Sequence, residues 1–379
     1  MPDTPVMTGS PRLRPIVSEI PAYAPGQLPR GHDGQACKLS SNESPYDPLP
    51  SVREAVAAAA SHLNRYPDIA ASALTGALAE HLGVPASHVA LGCGSAGVIQ
   101  QLLAATSGPG TQVLYGWRSF EAYPLMVRLA GAAEVTVPLR GHTHDLPAMA
   151  DAVTPRTSLI IACNPNNPTG TVVHTDEFRA FLGRVPGNCL VVLDEAYREF
   201  VRDPAVPNGL DLYRDYPNLA VLRTFSKAYG LAGLRVGFLV AQPQVAEAVR
   251  KTMVPFAVNS IAQAAAIASL AAQAELLKRV DAVASERTRV RGELLARGFP
   301  VPATEANFLW LRLGPATTAF AAACDRAGIS IRPFPGEGAR VTIGDRSAND
   351  SFLAVARQFQ SDAAPACPAG PLRARSAVA

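Results

Sequence analysis

Four short segments carry the side chains that could do chemistry: Gly92-Cys93-Gly94-Ser95, Asn164-Pro165-Asn166-Asn167-Pro168-Thr169-Gly170, Asp194-Glu195-Ala196-Tyr197 and Thr224-Phe225-Ser226-Lys227. A lysine at a strand end is ordinarily a solvated charge. Burial or neighbouring cations lower its pKa and make the amine a nucleophile toward carbonyls, which is the chemical alternative for Lys227. Asp194 closes the apolar run Leu190–Leu193. It could simply cap a following helix, or it could be an ionised acid that keeps a pyridine nitrogen protonated so that the ring accepts electrons. Tyr197 shares a helical face with Asp194 if a helix begins there, and its hydroxyl could then reach the group beside an aldehyde.

Asn167 lies in a turn stiffened by two prolines and offers an amide donor suited to a phenolate oxygen. Gly92-x-Gly94-Ser95 ahead of a helix suits a phosphate at the helix N-terminus. Ser226 and Arg235 add a hydroxyl and a cation to the same task. Taken singly, each has a bland structural reading. Their order and context carry the chemistry.

Each segment follows or ends an apolar run. Such runs fall at Gln112–Tyr115, Val135–Leu139, Ser158–Cys163, Cys189–Leu193, Leu219–Arg223 and Val236–Ala241, with helical stretches between several of them at Gly97–Thr106, Thr175–Leu182 and Gln244–Thr252. Short continuous apolar strands alternating with helices predict an α/β fold with a mostly parallel sheet covered on both faces. Ligands on such sheets bind beyond the carboxyl ends of the strands, where the four segments fall. Upstream, Ser51–His62 reads as a helix with Ser51 and Glu54 spaced as a capping box. Beyond about Asn259 an Ala-rich helical region runs to about Arg297. It precedes strand-like Asn307–Leu313, a helix near Thr317–Ala327, and short strands at Ile329–Arg332 and Arg340–Ile343, which together read as a smaller α+β domain. The expected division is an arm over 1–37, a large domain over 38–259, a small domain over 260–360 and a disordered tail over 361–379.

The chain has 379 residues, 48% of them hydrophobic and 17% charged, with a formal net charge of +3. That describes a compact protein with more than one core. No block of Lys or Arg stands out, so neither nucleic acid nor an anionic membrane is an expected partner. No window approaches the ~18 apolar residues of a membrane span. The start, MPDTPVMTGSPRLRP, lacks the apolar core of a signal peptide. Six cysteines lie scattered without CxxC pairs, so a metal site is not expected and reduced thiols in a cytoplasm are the plain reading.

With these residues assembled, the chain resembles the fold-type I pyridoxal-phosphate aminotransferases, and among them the histidinol-phosphate aminotransferase branch. Thr224-Phe225-Ser226-Lys227-Ala228-Tyr229-Gly230-Leu231-Ala232-Gly233-Leu234-Arg235 looks like the family's lysine signature through its phosphate-binding arginine. CNPNNPTG at 163 to 170 and DEAY at 194 to 197 match in the family's order, and the likeness runs from about Lys38 to about Gln358. The resemblance implies pyridoxal 5'-phosphate as cofactor, carried on Lys227 as a Schiff base. Lys227 would also shuttle the proton at the substrate α-carbon. It implies Asp194 at the pyridinium nitrogen, Asn167 and Tyr197 at the ring oxygen, and Phe120 stacked on the ring. Ser95, the amide of Ala96, Ser226 and Arg235 would bind the phosphate. Tyr66 would reach that phosphate from the neighbouring subunit, hence a homodimer. Arg340 would grip the anionic group of the amino acid and 2-oxo acid substrates, with Asn42 and Arg332 as further contacts.

Two features point within the branch. Histidinol-phosphate enzymes commonly carry acidic residues after the glycine–serine turn, whereas this chain has Gly94-Ser95-Ala96-Gly97, and it has Gly116-Trp117-Arg118-Ser119-Phe120-Glu121 leading into Tyr123. Both look like the actinobacterial aromatic amino acid (phenylalanine) aminotransferases. Expected, therefore, is ping-pong transfer from Phe, Tyr or Trp to 2-oxoglutarate, with histidinol phosphate as the alternative donor. Trp117 reads as core rather than as a substrate contact. A pyridoxal-phosphate decarboxylase shares much of this scaffold. A transcription regulator would need a DNA-binding module that the proline-rich stretch before Lys38 is too short to supply.

Overall fold

The structure, a computed structural model, describes residues 11–22, 26 and 36–363. Most of the expected arm and tail lies outside these residues. Within them Pro15–Glu19 is a short helix, and the last helix, Arg346–Ala363, runs past Ser361.

The strands in chain order are β1 (Cys37–Lys38), β2 (Val89–Gly92), β3 (Gln112–Trp117), β4 (Ala133–Pro138), β5 (Thr157–Cys163), β6 (Leu190–Asp194), β7 (Leu219–Thr224), β8 (Gly237–Val240), β9 (Phe308–Leu311), β10 (Ile329–Ser330), β11 (Arg332–Phe334) and β12 (Gly338–Thr342). Seven form one sheet in the order β2-β8-β7-β6-β5-β3-β4. Pairing is parallel from β4 through β3, β5 and β6 to β7, while β8 runs antiparallel to both β7 and β2. A second sheet of β11-β12-β9 is antiparallel, and β1 pairs with β10. The fold is thus the expected mostly parallel α/β sheet with a smaller α+β unit.

Burial explains why the apolar runs are continuous. Along β5, Leu159, Ile161 and Cys163 join one hydrophobic cluster while Ile160 and Ala162 join the other. In β6, Leu190 and Val192 face the cluster opposite to Val191 and Leu193, and β7 alternates in the same way. Successive side chains point to opposite faces, and helices cover both, so the middles of these strands are apolar and polar residues fall only at their ends.

One expectation needs correction, and two features go beyond the sequence reading. The four-residue strand β2, Val89–Gly92, was not foreseen. Ser51 and Glu54 form no capping box. The helix is Pro50–Ala60 with Leu49 at its N-cap and no side-chain cap, because Pro50, with its φ preset, takes the first helical turn and leaves Ser51 inside it. The Ala-rich region is two helices, Ser260–Ala271 and Gln273–Ala296, bent 82° apart. Among the described residues no single helix is long and apolar enough to cross a membrane.

Candidate active site

The sheet delivers functional groups to one edge. β5, β6 and β7 end at Cys163, Asp194 and Thr224, and the segments holding Asn167, Tyr197, Ser226 and Lys227 follow directly. β3 ends at Trp117, shortly before Phe120. β8 runs the other way, so its start rather than its end faces this edge, and that brings Arg235 to the same place. One cleft of about 350 Å³ collects Ser95, Ala96, Phe120, Asn167, Asp194, Tyr197, Ser226, Lys227, Arg235, Asn42, Arg332 and Arg340. Of the expected site residues only Tyr66 is elsewhere: it is 83% exposed, outside the cleft lining, and stacked on Phe256.

At one end of the cleft lies an anion nest. The helix Gly94–Thr106 begins there with no side-chain cap on its first amides, so the N–H groups of its opening turn and the positive end of its dipole are available to an anion. Arg235 bridges the turn, donating to Ser226 Oγ at 3.3 Å and to the Ala232 carbonyl at 2.9 Å, while the Thr224 hydroxyl donates to Ser226 Oγ at 3.0 Å. Glycine is required in two places. Gly94 has φ +72° and a Cβ there would strike the Arg235 guanidinium; a Cβ on Gly237 would lie 2.5 Å from the Ser95 nitrogen. The chain has left a cradle here that any larger residue would fill.

Lys227 lies partly buried in the middle, its Nζ donating to the Ser41 carbonyl at 3.1 Å. Burial, reinforced by the Arg340 and Arg235 charges, lowers its pKa to about 7, so a neutral amine is accessible near neutrality. Burial pushes Asp194 the opposite way, to about 6. Its ionised form is nevertheless provided for: Tyr123 donates to Oδ2 at 2.6 Å and the Ala196 amide to Oδ1 at 3.2 Å. A cation facing that carboxylate would lower its pKa further.

Beneath the cleft, Glu195 and Arg223 form a buried ion pair at 2.8 Å. It ties the residue after Asp194 to the residue before Thr224, and so fixes the ends of β6 and β7 against each other.

Tyr197 follows Asp194 through a turn and not a helix, since only a short 3₁₀ segment, Arg198–Phe200, comes after it. Its buried phenol is pushed up in pKa by burial, stays protonated, and accepts from Asn42 Nδ2 at 2.9 Å. The Asn167 side-chain oxygen is taken by Arg340 Nη1 at 2.6 Å, which leaves its amide N–H groups as what it can offer the cleft. Arg340 also donates to the Ser40 carbonyl at 2.6 Å. Arg332 holds Glu121 through two contacts of 2.7 and 3.1 Å. Both line a neighbouring cavity of about 590 Å³ together with Tyr115 and Trp117, so Trp117 faces that cavity and not the main cleft. Phe120 meets Tyr123 edge-on at 5.4 Å. Sequence reasoning gave no role to Ser41, Glu195, Arg223 or Tyr123; only Tyr123, at a fixed three-residue offset from Phe120, carried any local signal.

A nucleophilic lysine and a buried carboxylate beyond the carboxyl ends of a mixed sheet, with an anion nest beside them, define an α/β enzyme built for chemistry at an amino or carbonyl group. The chain belongs to the class I and II aminotransferases, whose family model matches residues 35–355. It is 64% identical to an aromatic amino acid aminotransferase of Thermobifida fusca, over 92% of this chain and 97% of that protein. A second aromatic amino acid aminotransferase, of Streptomyces avermitilis, is 59% identical over 93% of this chain and 99% of its own length. Among solved structures, histidinol-phosphate aminotransferase from Sinorhizobium meliloti in complex with pyridoxal-5'-phosphate superposes with a TM-score of 0.83 at 30% identity, covering 93% of this chain and 100% of that one. Aspartate aminotransferase from Thermus thermophilus with maleate shares the fold, with a TM-score of 0.75 at 22% identity over 86% of this chain and 91% of that one.

Proposed function

We propose that this enzyme moves the amino group of phenylalanine, tyrosine or tryptophan to 2-oxoglutarate by a ping-pong mechanism, with pyridoxal 5'-phosphate as cofactor, as a cytoplasmic homodimer. The observation that carries the reading is the meeting of three groups in one cleft: the low-pKa Lys227 amine, the buried Asp194 carboxylate and the nest around Arg235. The aromatic donor is favoured by the relatives at 59% and 64% identity, which bear that name.

The bound cofactor supplies a protonated pyridine ring that takes up the electron pair left when an α-carbon loses its proton. The protein supplies the rest. Lys227 anchors the cofactor through its amine and, once released, takes the α-proton and returns it as general base and acid. Asp194 holds the proton on the ring nitrogen, kept ionised by Tyr123 and the Ala196 amide. The Asn167 amide and the Tyr197 hydroxyl hold the ring oxygen, and Phe120 covers a ring face. Ser95, the Ala96 amide, Ser226 and Arg235 bind the phosphate, joined by Tyr66 of a second copy of the chain. Arg340 binds the α-carboxylate common to donor and acceptor, with Asn42 beside it, and Arg332 serves the distal end of the substrate. We assign 38–259 to the cofactor-binding domain, 260–360 to the small domain, and the segments before and after to an arm and a tail.

Borohydride reduction of the holoenzyme followed by peptide mapping should label Lys227. A panel of amino donors with 2-oxoglutarate should rank phenylalanine, tyrosine and tryptophan first. An unlabelled Lys227 would overturn the cofactor assignment, and turnover of histidinol phosphate well above that of phenylalanine would overturn the donor assignment.

A further inference from the structure

Tyr66 presents an exposed ring, yet it is not left to wander. It stacks on Phe256 with ring centroids 4.5 Å apart and planes 25° from parallel. Phe256 itself sits at φ +60°, a left-handed conformation that a phenylalanine keeps only when its surroundings hold it. Those surroundings are visible. The Ala257 amide donates to Val254 O at 3.1 Å, and Ala257 O accepts from Cys93 Sγ at 2.8 Å. One side-chain amide, that of Gln263, donates both to Val258 O at 2.8 Å and to Asp68 O at 3.1 Å, clamping the Phe256 loop to the Tyr66 loop. The Asp68 carboxylate then accepts from the Ala70 and Ser72 amides, fixing the Tyr66 loop to the helix Ser72–Leu82.

A strained backbone maintained by three separate anchors, whose product is a half-exposed ring under a fully exposed tyrosine, is poor economy for stability alone. We infer that Phe256 is a positioning residue for the neighbouring subunit's site: it holds Tyr66 of its own chain at the angle from which the hydroxyl reaches the cofactor phosphate bound in the partner. This rests on the dimeric reading above. A stacked partner freezes one rotamer of Tyr66 before the subunits meet, so that the ordering cost is met within the monomer and not at cofactor binding.

The role acts across the interface, and mixed dimers isolate it. In a dimer of one Lys227→Ala chain and one otherwise wild-type chain, only one site can hold pyridoxal phosphate covalently, and the absorbance of the lysine-bound cofactor reports that site alone. With Phe256→Ala on the Lys227→Ala chain, the live site receives the disturbed Tyr66, and its Kd for pyridoxal phosphate should weaken about three- to tenfold, the scale of one aromatic pair. With Phe256→Ala on the chain that keeps Lys227, the live site should bind as in the parent mixed dimer. Phe256→Tyr, which keeps a ring to stack on, should restore the Kd in the first arrangement.

Weakening in the second arrangement, equal weakening in both, or none in either overturns the proposal. Tyr66→Phe separates the two levels. If it weakens cofactor binding while Phe256→Ala on the Lys227→Ala chain does not, Phe256 is merely structural; if Tyr66→Phe has no effect, or the chain is monomeric, the dimeric reading itself fails.

Discussion

The Tyr123 hydroxyl donates to Asp194 Oδ2 across 2.6 Å, and neither residue meets solvent, at 0% and 3% exposure. The bond spans the sheet: Tyr123 belongs to the helix Ala122–Ala130 that follows β3, Asp194 ends β6, and β5 lies between the two strands. A buried carboxylate is tolerated as an anion only if its lone pairs are met, and a phenol whose own pKa burial has raised is a donor that will not ionise in exchange.

Tyr123→Phe should therefore raise the Asp194 pKa. A hydrogen bond to a charged group contributes about 1.5–3 kcal/mol, so the acid limb of the pH profile of kcat/KM should move up by about one unit, with kcat at neutral pH down roughly twofold and the loss growing as pH falls. Full pH–rate profiles of both proteins test this; an unmoved acid limb would refute it.

Lys227 makes the cofactor-free protein's stability depend on pH. An unfolded chain titrates lysine near about 10.4, whereas the buried amine titrates at about 7. Between these values the unfolded state holds the extra proton, so stability from this group is complete above the unfolded value and is lost as pH falls toward about 7. Lys227→Met should accordingly be more stable than the wild type at pH 7, by on the order of 3 kcal/mol, and the gap should close toward pH 10. Urea denaturation of the cofactor-free proteins across that range measures it. The same variant should lose turnover by at least about 10²-fold, the contribution of a positioned acid and base.

Gly94→Ala should cripple the anion nest without unfolding the sheet. The added methyl strikes the Arg235 guanidinium, and φ +72° is costly for alanine. A loss of about 1–3 kcal/mol in stability is expected, together with cofactor affinity reduced at least about tenfold. Thermal unfolding and a pyridoxal phosphate titration separate the two effects, and unchanged affinity would contradict the assignment of this turn.

Arg332 should matter more for acceptor than for donor. Both substrates have an α-carboxylate, assigned to Arg340, but only 2-oxoglutarate has a second one. Arg332→Ala should raise KM for 2-oxoglutarate by roughly tenfold or more, as expected for one charged hydrogen bond, and change KM for phenylalanine much less. Equal changes in both would reassign the residue.

Much of this was legible in the chain. The apolar runs marked β3, β5, β6, β7 and β8 because both faces of the sheet are covered there, and a strand with an apolar middle is conspicuous; β4, at the sheet edge, is largely exposed and was marked by its valines alone. The four segments were found because a parallel sheet must deploy its chemistry at one end. The direction of β8 was not readable: its run looks the same forwards and backwards, and only pairing with β7 and β2 fixes its sense. Local spacing also misled at Ser51, where proline geometry outweighed a capping pattern, and at Tyr197, where a turn and not a helix follows Asp194. Arg332 with Glu121, and Arg340 with Asn167, meet across separations of 211 and 173 residues, and charge matching at that range leaves no trace in a linear pattern.

The contact between Arg340 and the Ser40 carbonyl joins positions 300 apart, and Thr342 repeats the span by donating to Asn42 Oδ1 at 3.1 Å. Loop closure of that length waits until β12 has been made, so a nascent chain stopped before β12 has a sheet but no finished cleft. Loading of the proposed vitamin B6 cofactor is then a late event in the life of the polypeptide, and the loaded state, by mass action, would hold these two distant segments together.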